Sequence, residues 1–99
     1  MSSGVSRKIT GAVTGTGSLI NVKTVGFRPR MVELINTGGL VSGVWTDSMA
    51  DASVAKRVTA GTLSFPTSGG VTPLADGFSL GTDSDLNAAG ELVHYIAYE

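Results

Sequence analysis

Val-Gly-Phe-Arg-Pro-Arg-Met-Val-Glu-Leu-Ile-Asn, residues 25–36, is the stretch of sequence on which the prediction of the fold depends. Pro29 fixes its own φ angle, has no N–H to donate, and pushes Arg28 into an extended conformation, so the stretch starts as a corner rather than a helix. After this corner the residues alternate, with Val32 and Leu34 on one face of the chain. The alternation predicts a strand over residues 31–36 that is buried on at least one face.

Similar short segments recur along the chain and are separated by turns that contain Gly or Pro. The strand candidates are residues 8–13, 19–25, 31–36, 40–46, 54–58, 61–65, 71–74, 77–80 and 91–98. Residues 47–53 have a capping residue but no continuing apolar stripe, so we interpret them as an irregular connection. We expect an all-β fold, an antiparallel β-sandwich of seven to nine short strands, and eight strands would suit a jelly roll. Pro73 indicates that residues 71–74 form an edge strand.

The composition is that of one small domain with few chemically reactive side chains. The chain has 99 residues, of which 41% are hydrophobic and only 15% are charged, and it contains no Cys and one His. These counts exclude a disulfide scaffold, a thiolate zinc site and a multi-histidine metal site within one chain. We expect residues 1–6 to be a flexible N-terminal arm and residues 7–99 a single sandwich domain, without a signal peptide or a membrane-spanning run.

The charges are distributed unevenly, although the net charge is only −1. Residues 1–57 contain all seven basic residues and three acidic residues, whereas residues 58–99 contain five acidic residues and no basic one. The small net charge gives no indication of a nucleic-acid partner. If the two halves do not interleave in the fold, this segregation would favour head-to-tail or lattice contacts.

The sequence resembles small all-β domains of tailed-phage virion proteins over roughly residues 22–99. The resemblance begins with the pattern Gly-Phe-x-Pro-x-x-Val and continues with a glycine-introduced strand, an Asn-x-x-Gly turn and a last strand rich in Tyr and Ala. The matching residues are Gly26, Phe27, Pro29 and Val32, then Gly77-Phe78-Ser79-Leu80-Gly81, Asn87-Ala88-Ala89-Gly90 and Tyr95-Ile96-Ala97-Tyr98. The resemblance implies a structural protein of the virion, such as a capsid decoration (cement) protein, and it brings no catalytic residues.

From this resemblance we expect a protein that is made in the host cytoplasm and acts at the capsid surface, as a homotrimer that bridges subunits of the major capsid protein. The alternative is a tail-fibre or tail-tip β-domain that binds a glycan or receptor, which would need several exposed aromatic side chains among the six present. We expect no enzymatic activity, no cofactor, and no nucleic-acid or membrane partner. The predicted interaction residues are Ser2, Ser3, Val5, Arg7, Arg28, Arg30 and Trp45. For Trp45, packing in the core and packing against another subunit both remain open.

Two further groups of residues suggest sites of chemistry. Asp83, Asp85 and Asn87 have the spacing of calcium-loop ligands, but Ala88 and His94 stand where an EF-hand needs Gly and Glu. We interpret this run as a turn whose Asx side chains bond the backbone, with a calcium site as the alternative. His94 lies within the last strand without a nearby nucleophile, so we interpret it as a half-buried sheet histidine and not as a catalytic base.

Overall fold

Nine strands form two antiparallel sheets in the computed structural model, which describes residues 7–99. The predicted arm, residues 1–6, lies outside the described residues. The strands are β1 (Lys8–Thr14), β2 (Ile20–Val22), β3 (Met31–Asn36), β4 (Val41–Thr46), β5 (Ala55–Arg57), β6 (Leu63–Ser64), β7 (Val71–Leu74), β8 (Gly77–Leu80) and β9 (Leu92–Tyr98). The all-β prediction and the predicted number of strands are both confirmed.

The two sheets differ in size, and their strand order is only partly that of a jelly roll. The larger sheet has the order β1-β9-β3-β4-β5-β6 and the smaller has the order β2-β8-β7. The first strand pairs with the last, and the second pairs with the last but one in the other sheet. In a jelly roll, the third strand would pair with the last but two, and so on inwards. Here β3–β4 and β7–β8 are instead hairpins, each within its own sheet, so only the two outer pairs follow the jelly-roll order. The sandwich is therefore confirmed, whereas the jelly-roll topology is not.

The alternation predicted for β3 is present and places this strand at the centre of the larger sheet. β3 lies between β9 and β4, with Val32 and Leu34 buried, at 0% and 1% exposed. Val93, Tyr95 and Ala97 of β9 face the same core because the last strand alternates in the same way. The Phe78 ring of the smaller sheet meets the Tyr95 ring edge-on, with 5.3 Å between centroids. This aromatic contact joins the two sheets across the core.

The corner before β3 is built as the sequence predicts. Gly26 has a φ of +88°, in the region that favours glycine, and its N–H donates to the Asp76 carbonyl at 3.0 Å. Pro29 is fully buried, and the next residue, Arg30, donates its N–H to the Tyr98 carbonyl at 2.8 Å. The corner is thus fixed by the buried Pro29 ring and by backbone hydrogen bonds to Asp76, which precedes β8, and to Tyr98, which ends β9.

The boundaries of several other elements agree with the predictions. Residues 71–74 and 77–80 form strands with the predicted limits, and β7, which contains Pro73, is an edge strand. Residues 47–53 form turns rather than a helix. The candidate at 19–25 is shorter than predicted, since the strand ends at Val22 and the chain then turns towards the corner. Among residues 7–99 there is no helix that could cross a membrane.

Candidate interaction surfaces

Three of the predicted interaction residues, Arg7, Arg28 and Arg30, come together at one end of the sandwich, which we call the arginine end. Arg7 directly precedes β1, and its carbonyl accepts the N–H of Glu99 at 2.8 Å. Arg30 is hydrogen-bonded through its backbone both to Tyr98 and to Asp47, each at 2.8 Å. These backbone hydrogen bonds bring the beginning of β1, the end of β9 and the corner side by side. All three arginines are exposed.

Arg7 is held in place by two contacts. Its Nε and Nη2 donate to the two carboxylate oxygens of Glu99, at 2.8 Å and 2.5 Å, in a bidentate pair. Its guanidinium also lies 5.2 Å from the centre of the Phe27 ring, within the range of a cation–π contact. The hydrogen bonds and the charge of Arg7 lower the pKa of Glu99, and Glu99 in turn raises the pKa of Arg7. Since both side chains are exposed, this pair orients Arg7 more than it stabilises the fold.

A shallow recess of about 130 Å³ lies at the arginine end. It is lined by Arg28, Pro29, Arg30, Trp45, Asp47, Asp51 and Pro73. Arg30 and Asp47 form an exposed ion pair with 3.4 Å between Nε and Oδ2, so the rim carries both signs of charge. The recess therefore suits a partner surface of mixed charge better than a uniformly charged polymer.

Trp45 lies at the base of this recess but belongs to the core. Its side chain is only 1% exposed, and its indole N–H donates to the Ala50 carbonyl at 3.2 Å. Of the two roles that the sequence leaves open, the structure shows core packing. Trp45 as an interaction residue stays a prediction, and a ring that is 1% exposed offers a partner little surface.

The structure gives the candidate calcium ligands Asp83, Asp85 and Asn87 different partners. Asp83 and Asp85 approach each other, but the ammonium group of Lys56 lies between them, at 2.8 Å from an oxygen of each carboxylate. Burial acts on the Lys56 pKa most strongly and lowers it, but the bonds and charges of the two aspartates together outweigh this effect, so the pKa is raised. The other oxygen of Asp83 accepts the N–H groups of Asp85 and Leu86, as expected for an Asx turn.

Asn87 has a structural role. Its Oδ1 accepts the N–H groups of Thr16 and Gly17 at 2.9 Å and 3.2 Å, and its Nδ2 donates to the carbonyls of Ser18 and Gly81 at 2.6 Å and 2.8 Å. The amide is fully buried, and its Oδ1 already accepts two backbone N–H groups. Among residues 7–99, no group of three or more His, Cys, Asp or Glu side chains is placed to hold a metal ion. The geometry of the loop thus agrees with the turn interpretation.

Asn36 has a similar role that the sequence analysis missed. Its Nδ2 donates to the Asp85 carbonyl and to the Glu91 carboxylate, and its Oδ1 accepts the N–H groups of Gly38 and Gly39. The amide is fully buried at the end of β3. The sequence does contain a signal for this role, namely an Asn directly before a Thr-Gly-Gly turn. Asn side chains commonly hydrogen-bond the backbone two residues further along the chain.

His94 lies on the outer face of the larger sheet, the face that points away from the smaller sheet. Its neighbours in register are Ala12 on β1 and Ile35 on β3, and neither side chain is able to exchange a proton. The side chain is half-buried, as the sequence predicts. Neither of these two neighbours offers the imidazole the oriented partner that acid–base catalysis needs.

The same outer face carries exposed apolar side chains at the end opposite to the arginine end. Ile35 on β3, Leu40 in the β3–β4 turn and Leu92 on β9 are 43%, 68% and 44% exposed. Ile35 and Leu40 line a common depression of about 270 Å³, and the Thr37 N–H donates to the Leu92 carbonyl next to it. We call these three residues the hairpin patch. The sequence analysis did not single them out.

The remaining predicted interaction residues, Ser2, Ser3 and Val5, lie outside the described residues. Comparison of the chain with family models, with curated proteins and with solved structures finds no match.

Proposed function

We propose that this chain is a structural protein of a phage virion that decorates the capsid surface and stabilises it by bridging subunits of the major capsid protein. The motifs around Gly26-Phe27 and the last strand resemble those of small virion β-domains, and the nine-stranded sandwich agrees with that class of protein. The proposed mechanism is adhesive. Contact with several capsid subunits stabilises the assembled state by the free energy of that contact.

The observation that carries this proposal is the convergence of Arg7, Arg28 and Arg30 at the end of the molecule where the N-terminal segment joins β1. Residues 1–6 join the described domain at Arg7, so the chain leads from this segment directly into the group of exposed guanidinium groups. Guanidinium groups make bidentate bonds to carboxylates, which are common on protein surfaces. We assign this end to the contact with the capsid protein.

The charges around the arginine end favour a protein partner over nucleic acid. Asp47 and Asp51 line the same recess as Arg28 and Arg30, and Arg7 is paired with Glu99. A site that follows a phosphate backbone would need positive charge without such acidic neighbours. A capsid surface of mixed charge fits this pattern.

The alternative is a tail-fibre or tail-tip domain that binds a glycan. Such a site stacks sugars on exposed aromatic rings, and four of the six aromatic residues are 6% exposed or less, namely Phe27, Trp45, Phe78 and Tyr95. Phe65, at 52% exposed, and the half-buried Tyr98 are left for such contacts. This low number favours the capsid proposal.

Co-sedimentation with purified particles tests the proposal. The protein should sediment with capsids that lack tails and not with isolated tails, and it should raise the temperature at which capsids disassemble. The double variant Arg28→Ser with Arg30→Ser should bind capsids at least about tenfold more weakly, as expected when exposed pairs to a partner are lost together. Lys23→Ser, which removes an exposed charge from the chain between β2 and the corner, is the matched control. Binding to tails alone would contradict the proposal and support the alternative.

A further inference from the structure

β1 has the longest strand edge without a partner among residues 7–99. It pairs with β9 on one side and is the end strand of the larger sheet on the other. The strand has seven residues and contains no Pro. The other three end strands are shorter, since β2 and β6 have three and two residues and β7 has four, one of which is Pro73. Short strands and Pro are common means of keeping a sheet edge from pairing, and β1 has neither.

The register with β9 shows which backbone groups of β1 point to the open edge. The Gly15 N–H donates to the Glu91 carbonyl, and the Glu99 N–H donates to the Arg7 carbonyl, each at 2.8 Å. Hydrogen-bonded pairs alternate along an antiparallel ladder, so residues 9, 11 and 13 also bond β9. The residues between them direct their N–H and C=O groups away from β9. These outward residues are Lys8, Thr10, Ala12 and Thr14.

The side chains of β1 are arranged almost symmetrically about Gly11. On the inner face Ile9 and Val13 lie two positions to either side of it, and both are half-buried against the core. Gly11 leaves room for a ring of β9, because a Cβ there would lie 2.5 Å from the Tyr95 hydroxyl oxygen. The two outward neighbours of Gly11 have small side chains, Thr10 and Ala12. A second β1 in antiparallel orientation therefore presents nearly the same pattern in reverse.

We propose that two copies of this chain pair through the open edges of β1, antiparallel and centred on Gly11, so that their larger sheets become one continuous sheet. In this register Lys8 of each copy lies opposite Thr14 of the other, and Thr10 lies opposite Ala12. All four outward residues of each strand then exchange hydrogen bonds. On the inner face Ile9 of each copy meets Val13 of the other, and such β-branched cross-strand pairs stabilise a sheet.

The register and the charges favour a second copy as the partner. A shift of one strand by two residues in either direction would leave only three outward residues of each β1 paired with the other β1. Lys8 is the only charged residue of β1. In the centred register the two lysines lie about 20 Å apart, from the usual rise per residue, which is beyond the screening length of about 8 Å at physiological salt.

This pairing has its own consequence for the oligomeric state. Two copies close a contact of this type, because each edge is used by the other, so the expected species is a dimer and not the trimer that the resemblance implies. The contact is a single pair of strands, and we therefore expect a weak dimer. The inference goes beyond the proposed function, since it concerns the purified chain and needs no capsid.

Amide hydrogen exchange of the full wild-type chain tests this inference, measured residue by residue by NMR from about 10 µM to about 1 mM, a range that covers weak pairs. The outward amides of Thr10, Ala12 and Thr14 should exchange at least about tenfold more slowly at the highest concentration than at the lowest. The amides of Ile9 and Gly11 should be protected throughout, because they bond β9. Analytical ultracentrifugation over the same range should show a rise to the mass of two chains.

Ala12→Pro tests the edge directly, because it removes an outward N–H and keeps the bonds of β1 to β9. It should weaken dimer formation at least about tenfold while the circular dichroism spectrum stays that of the wild type. Ala12→Val is the matched control, since it keeps the N–H and suits a strand. This control should associate like the wild type.

Three results would overturn the inference, whatever the outcome of the capsid experiment. The first is a wild type that stays monomeric over the whole range of concentrations. The second is a dimer in which the outward amides exchange as fast as in the monomer, because its contact would lie elsewhere. The third is equal association of the Pro and Val variants. The exchange measurement uses the wild type and decides the question even if Ala12→Pro unfolds.

Discussion

Asn36 is a buried amide that uses its full hydrogen-bonding capacity. It holds the turn after β3 through Gly38 and Gly39, and it holds the loop before β9 through Asp85 and Glu91. A buried polar group without partners costs about 1–3 kcal/mol, so a side chain with four bonds and no exposure is difficult to replace. This single residue couples a hairpin to a loop that is about fifty positions away in the sequence.

Asn36→Asp should destabilise the protein at neutral pH by at least about 1–3 kcal/mol. The change keeps the acceptor for the two glycine N–H groups but replaces the donor, so the new oxygen faces the Glu91 carboxylate and the Asp85 carbonyl, which now lie 2.9 Å and 2.8 Å from Nδ2. Repulsion from Glu91 would raise the pKa of the new carboxyl in the folded state above its unfolded value. The loss of stability should therefore be present at pH 7 and shrink as the pH falls from there to about 4, where the carboxyl is protonated in the unfolded state as well. Urea unfolding at both pH values measures it.

Asn21→Asp is the matched control, since Asn21 is exposed on β2. It should cost less than about 0.5 kcal/mol at either pH. If Asn36→Asp behaves like this control, the hydrogen bonds assigned to Asn36 are wrong.

The loop between β8 and β9 behaves as an element of the core although its residues are mostly polar. Leu86 and Asn87 are fully buried, and Leu86 packs on Gly43 of β4. A Cβ at position 43 would lie 2.9 Å from Leu86 Cδ1 and 2.9 Å from Val54 Cγ2, so glycine is needed there for close approach. The loop closes over β4 because this strand offers a flat site without a side chain.

Gly43→Ala should therefore destabilise the protein by about 1–3 kcal/mol through overpacking. Leu86→Ala should cost about 2–5 kcal/mol, as expected for a buried leucine. The double variant should cost less than the sum, because the smaller residue at 86 leaves room for the new methyl group. Thermal or urea unfolding of all four proteins gives the coupling energy. Additive effects would mean that Leu86 does not lie against β4.

Lys56 ties the same loop to β5 through Asp83 and Asp85. The side chain of Asp83 is 6% exposed and that of Lys56 is 12% exposed, so this ion pair is screened less than a surface pair. Lys56→Met should destabilise the protein by about 1–3 kcal/mol, because it leaves the Asp83 carboxylate without its cation. The loss of stability is limited because the side chain of Asp85, the second partner of Lys56, is 44% exposed and remains solvated without the lysine.

The pH dependence of this pair has a definite sign. The pKa of Lys56 is raised in the folded state, so its contribution is fully present below the unfolded pKa of about 10.4 and is lost as the pH rises through the folded value. The difference in stability between wild type and Lys56→Met should therefore be constant from pH 7 to pH 9 and should shrink above about pH 10.5. Lys23→Met, at an exposed position, should show no such alkaline change.

The strands could be predicted from the sequence because their burial follows a period of two. β7 and β8 have the predicted limits, and Val32 and Leu34 lie on the predicted face. The role of the loop residues was not predictable in the same way. Asn87 is buried because the backbone of residues 16–18 reaches it from the other end of the sequence, and Lys56 occupies the calcium-loop candidate because β5 passes beside it. Such contacts depend on topology, which periodicity does not encode.

At the scale of the whole molecule, the fold brings the segregated charges of the sequence together. Arg7 from the basic half pairs with Glu99, and Lys56 pairs with Asp83 and Asp85. The two halves interleave in the larger sheet, since β1 lies next to β9. Part of the charge asymmetry is thus neutralised within the chain, which weakens the case for head-to-tail contacts driven by two opposite poles.

The arginine end and the hairpin patch lie at opposite ends of the sandwich. β1 and β9 run antiparallel, so the end that carries Arg7 and Glu99 is the end far from Leu92 and the β3–β4 turn.

Deletion of residues 1–6 tests the role of the N-terminal segment in the proposed contact with the capsid. The circular dichroism spectrum should be unchanged and the melting temperature should differ by less than about 2 °C, because the deletion leaves all nine described strands, from Lys8 onwards, intact. Capsid binding should weaken at least about tenfold. A replacement of residues 2–6 by Gly and Ser of equal length separates the sequence of the segment from its length. If the shortened chain binds capsids as tightly as the full chain, the segment has no part in the contact, and the arginines alone would have to provide it.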